Sequence, residues 1–179
     1  EALVRFDGVA VPEGYGLESA TLNLFYDLDR RGDDPNEDTV TYVRQLLKDW
    51  NQGTGGGPDG PAALEGEVTW NSARHLEELW QVPGAYGVED MFIPATEIQT
   101  TFGSVPDSWV TFGGDGLAGI VDSWLSGDAE NYGFKVTNNP GNDPAYQYVV
   151  GMYDLCSSEF SDVTPVSYTH LTLPTNREV

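Results

Sequence analysis

The sequence predicts an all-β protein: a sandwich or barrel of short antiparallel strands, with one or two short helices as minor elements. Three features predict it. Short apolar runs recur at near-regular spacing along 179 residues, 21 glycines and 11 prolines punctuate them, and only one window shows a clear helical period.

The runs at residues 2–6, 20–26, 39–44, 67–70, 91–93, 109–112, 133–137 and 146–152 read as strands. The run at 20–26 alternates, with Leu22, Leu24 and Tyr26 on one face and Asn23 and Phe25 on the other, as in a strand with one drier side. The helical window is 115–127. There Leu117, Ile120, Val121, Trp124 and Leu125 fall at i, i+3, i+4, i+7 and i+8, with Asp115 placed to cap the start and Gly127 the end. A weaker helical window opens at Ser72 and carries Leu76, Leu79 and Trp80 on one side. Residues 27–38 and the glycine-rich 51–66 read as irregular insertions, and no internal repeat is visible.

A chain of this length supports one domain with a real core. Its 29 acidic against 8 basic residues, a net charge of −21, exclude nucleic acid, whose phosphates are bound by clustered Lys and Arg. The same charge is repelled by an anionic membrane surface. Apolar runs such as 149–153 fall far short of the roughly 20 residues of a membrane span, so no membrane insertion is expected. A single cysteine, Cys156, allows no intrachain disulfide. The opening "EALVRFDGV" has no Met and reads like the middle of a strand, which suggests a missing start.

Seven motifs then stand in order: "LVRFD" at 3–7, "SATLNLFY" at 19–26, "VTYVRQLLKDWNQGT" at 40–54, "GEVTWN" at 66–71, "WVTF…LAGIVDSWLSG" at 109–127, "NYGFKV" at 131–136 and "SSEFSD…P" at 157–165. Together they resemble the DNRLRE-domain family, which includes alginate-type carbohydrate-binding modules and disaggregatase-related surface domains. The resemblance implies a jelly-roll-like β-sandwich of bacterial or archaeal extracellular proteins. It also implies one or two strands ahead of the first motif, which are absent from this sequence. Residues 1–165 are therefore expected to form a single domain lacking its leading strand or strands, and 166–179 a non-native tail. "VSYTHLTLPT" at 166–175 is similar to a translated sequencing adapter, which would make the chain a metagenomic gene fragment. The alternative is a divergent last strand, with Val166, Ser167 and Tyr168 in its place.

No catalytic constellation emerges, and the chain is expected not to be an enzyme. His75 and His170 lack a nucleophile or metal motif around them, Cys156 reads as a small buried residue, and no carboxylate pair can be named. Metal is the stronger proposal. Asp27, Asp29, Asp33, Asp34 and Asp38, with Asn36 and Glu37, crowd hard oxygen donors into one segment suited to Ca²⁺; the other reading is a solvated acidic loop. Asn139, Asn142 and Asp143 are a lesser candidate.

Glycan recognition needs flat aromatic surfaces. Trp50, Trp70 and Trp124 are expected in the core and Trp109 half buried. Trp80 and Tyr86, in the loop "ELWQVPGAYG", are left as the exposed ligand-binding aromatics. The eight basic residues are too few for a groove that takes a polyanionic sugar, so a neutral glycan, or an acidic one bridged by Ca²⁺, fits better. The leading expectation is an extracellular or cell-surface domain that binds glycan or matrix, with calcium stabilising its loops. The competing one is a structural subunit of a surface filament, fibre or adhesin stalk that joins copies of itself or other surface proteins through strand addition.

Overall fold

The structure, a computed structural model, describes residues 2–29, 39–53, 62–102, 108–137, 153–155 and 170–172. In chain order these form β1 (Ala2–Val4), β2 (Thr21–Asp29), β3 (Thr39–Leu46), β4 (Ser72–Arg74), β5 (Glu78–Leu79), β6 (Met91–Phe92), β7 (Ile98–Phe102), β8 (Ser108–Phe112), helix α1 (Asp115–Ser126), β9 (Phe134–Thr137), β10 (Tyr153–Leu155) and β11 (His170–Thr172). The pairings described are all antiparallel, and the all-β expectation holds.

The strands sort into two main sheets and a hairpin. One sheet runs β1-β9-β3, with β6 and β7 sharing the far edge of β3. In the other, β2 pairs β8 on one side and β10 and β11 on the other. A shared core joins the two sheets: Leu22, Leu24 and Phe112 from one, Val43, Ile98, Phe134 and Val136 from the other, and Leu117, Ile120 and Val121 from α1. The alternation read at 20–26 is therefore real over its first half, since Leu22 and Leu24 are buried while Thr21 and Asn23 are less so.

Side chains alternate across a strand, so burying Val43, Phe134 and Val136 on one face turns Arg44, Leu46 and Lys135 to the other. That second face is not left to water. The segment 62–90 covers it with a smaller cluster of Leu46, Trp50, Ala73, Trp80 and Ala85, flanked by Leu3, Val68 and Tyr132. With both faces covered, all four residues of β9 are buried.

Several expectations need correction. The window from Ser72 is not a helix but the β4–β5 hairpin. Its Arg74–Glu78 pair, 2.9 Å apart, has the i,i+4 spacing of a helical ion pair yet spans two strands. A helix there would bury Leu76 and Leu79, and both are instead largely exposed, Leu76 at the hairpin tip with φ of 65°. Residues 67–70 form no ladder strand, although the Glu67 carbonyl accepts from the His75 N–H at 2.7 Å. Helix α1 matches its window, with Gly127 as a left-handed C-cap, but its N-cap is Gly114. Asp115 makes no capping bond and lies in the first turn, where its charge suits the helix dipole. Strand β2 runs on through Asp27 and Asp29, which the sequence placed in a loop. Within the stretch read as a tail, His170–Thr172 pair with Asn23, Leu22 and Thr21. The run at 146–152 lies outside the described residues.

Candidate functional site

The layer over the second sheet face is built from two turns that lean on each other. Thr69 starts the first: its hydroxyl accepts from the N–H groups of Asn71 and Ser72, and its carbonyl accepts the Trp80 indole N–H at 3.0 Å. This ties Trp80 inward, where it is 5 % exposed, and leaves Trp70 outward, 44 % exposed. The second turn carries Gly84 at φ +79°, a conformation that costs an L side chain roughly 1–2 kcal/mol. Its N–H donates to the Trp70 carbonyl at 2.6 Å. The benzene half of the Trp70 indole seats directly on Gly84: a Cβ there would lie 2.6 Å from Cη2 and 2.9 Å from Cζ2 and Cζ3. Tyr86 meets the same indole at 65° with ring centroids 6.3 Å apart, an edge-to-face contact.

Charges buried beneath hold this turn in place. Lys135, fully buried on β9, sets its ammonium 3.1 Å from the Tyr86 ring centroid and donates to the Gly84 carbonyl. Asp90, also fully buried, accepts from the backbone N–H groups of Gln81 (2.9 Å), Val82 (3.0 Å) and Gly87 (3.1 Å), and from Lys48 at 3.1 Å. Burial alone would push its carboxyl up, but these donors together outweigh burial and hold it below the usual carboxylate range. The loop 81–90 is thus closed by one carboxylate at its base and pinned at its tip by one ammonium. Beside Lys135 in the ladder, Arg44 is buried too. Desolvation lowers its pKa, against the pull of Glu97 at 3.0 Å.

Trp80 and Tyr86 do lie in one loop system with an exposed aromatic, but neither is that aromatic. Tyr86 is only 3 % exposed. Proline and glycines around them read as surface punctuation, whereas Asp90 and Lys135 draw the loop inward. Trp70 takes the outward place, and Trp109, expected half buried, is 44 % exposed on β8. Trp50 is in the core as expected, its indole N–H donating to the Tyr132 carbonyl at 2.8 Å.

Of the acidic set, Asp27 and Asp29 lie on β2, and Asp33, Asp34 and Asp38 lie outside the described residues, as do Asn139, Asn142, Asp143 and Cys156. Among the described residues no group of three His, Cys, Asp or Glu side chains is placed to hold a metal ion, and no helix is long and apolar enough to cross a membrane. A shallow groove of about 370 Å³ between the β6–β7 connection and α1 is lined by Phe92, Pro94, Thr96, Asp115 and Ser123 among others. Among the described residues Asp115 is its one titratable lining residue, so these bring no acid and base together there.

No protein-family model, curated protein or solved structure matches the chain, so the family resemblance stands on the seven motifs alone.

Proposed function

We propose that the chain is a non-catalytic binding module, a jelly-roll-like sandwich of DNRLRE type working outside the cell or on its surface, which takes a neutral glycan against Trp70. The observation that carries the reading is the half-exposed Trp70 indole packed on Gly84 and Tyr86. Seated on Gly84 and edged by Tyr86, it offers apolar surface to the C–H side of a pyranose while losing little side-chain entropy on binding. Exposed Asn71 next to it supplies an amide for sugar hydroxyls. The net charge of −21 favours a neutral ligand over a polyanionic one. Calcium bound by the 27–38 segment would cross-link carboxylates that otherwise repel one another.

The test is a glycan array with the parent protein and Trp70→Ala. Neutral polysaccharide should bind the parent and not the variant, with the melting temperature kept because Trp70 lies outside the core. Binding that survives Trp70→Ala, or no glycan binding at all, overturns the reading.

A second reading, a structural subunit joined by strand addition, is favoured by β1. Among the described residues this strand pairs β9 on one side and no strand on the other, an edge that a neighbour's strand can extend. Concentration-dependent polymers on a sizing column would favour it over the first.

A further inference from the structure

We infer that Lys135 is a positioning residue for the Trp70 binding surface, fixing it through Gly84 and Tyr86 from the sheet below; the inference rests on reading Trp70 as the ligand contact. The first step is why a lysine sits there at all. Position 135 faces a covered, largely apolar side of the sheet, between Leu3 on β1 and Arg44 on β3. A leucine or methionine would fill such a place at no desolvation cost, and a like charge directly opposite in the ladder is unfavourable. An ammonium kept there needs contacts that use it. Two are in place: the Tyr86 ring and the Gly84 carbonyl.

Both contacts lead to the same indole. The residue whose carbonyl Lys135 holds is the one whose Cα carries the Trp70 ring and whose N–H is bonded to the Trp70 carbonyl. The ring Lys135 stacks on is the one that meets Trp70 edge-to-face. Strand β9 lies inside its sheet between β1 and β3, so Lys135 starts from one of the stiffest parts of the fold. It reaches the tip of a loop whose base alone is tied by Asp90. Without it, the Gly84 turn keeps its N–H bond to the Trp70 carbonyl but loses its tie to the sheet below, and the seat of the indole loosens.

The experiment labels the protein with 5-fluorotryptophan, assigns the Trp70 ¹⁹F line by its loss in Trp70→Phe, and records Lys135→Met with and without neutral oligosaccharide. In Lys135→Met the Trp70 line should shift and broaden while the Trp50 and Trp124 lines stay. Glycan affinity should fall about tenfold or more, the loss expected for one charge-assisted hydrogen bond. An unmoved Trp70 line in folded Lys135→Met overturns the inference even if glycan binding by Trp70 is confirmed. A moved line in a protein that binds no glycan upholds the positioning role and removes the glycan reading instead. If Lys135→Met does not fold, the parent decides: the Lys135 ammonium protons should be shifted upfield by the Tyr86 ring current and lose that shift in Tyr86→Leu. Their absence from the ring's shielding region refutes the clamp.

Discussion

Replacing Asp90 by Asn tests the base of the 81–90 loop. The carboxylate places one oxygen on Gln81 N–H and Lys48 and the other on Val82 and Gly87 N–H. An amide has one acceptor oxygen, so in Asp90→Asn its NH₂ must face two of these donors. Two hydrogen bonds to a charged acceptor are lost, at about 1.5–3 kcal/mol each, or roughly 3–6 kcal/mol together. That is a large share of the ~5–15 kcal/mol that holds an ordinary domain folded. For a chain of this size it corresponds to a melting-temperature drop of roughly 10–20 °C, unless the loop opens locally and limits the loss. Calorimetry gives the first quantity. Amide exchange at Gln81, Val82 and Gly87 distinguishes the two cases, since local opening speeds those amides ahead of the β9 core. Unchanged melting and unchanged protection of the three amides would refute the assignment of Asp90 as the loop's hub.

The same carboxyl sets an acid dependence. Its folded value lies below the unfolded one, near 4, so its stabilisation is complete above that unfolded value and is lost as pH falls through the folded one. Thermal melts from pH 6 down to about pH 2 should therefore show a loss in the parent that is shallower in Asp90→Asn. Gly84→Ala should leave the fold nearly intact, at a cost of about 1–2 kcal/mol for the left-handed residue, yet abolish glycan binding because the new Cβ displaces the indole; retained affinity would show that the seat is not needed. Millimolar Ca²⁺ should raise the melting temperature of the parent but not of the double variant Asp29→Asn with Asp33→Asn. No rise in the parent would remove calcium from the account.

Much of the scaffold was legible because it rests on local periodicity. Leu22 and Leu24 alternate, and Leu117, Ile120 and Val121 recur at helical spacing, each signal strong enough to survive tertiary context. The outer layer was not legible. Ser72–Leu79 carries a helical ion-pair spacing and strand-capable residues at once, and what decides is the Glu67 carbonyl on His75 N–H, a contact that local periodicity does not reveal. The exchange of Trp70 for Trp80 has the same origin. Which of two tryptophans ten residues apart turns inward depends on the Thr69 carbonyl capturing one indole N–H. Nothing in the sequence sets Lys135 and Asp90 apart from the other charges of a very acidic chain, and only the fold reveals that they are buried and holding one loop.

The most direct test of the Trp70 surface is a titration of ¹⁵N-labelled protein with a neutral oligosaccharide, following the indole N–H signals of its five tryptophans. The account predicts a saturable shift concentrated on Trp70, with Trp50 and Trp80, whose N–H groups are held by backbone carbonyls, nearly still. A response centred on Trp109, or none at all, would contradict it.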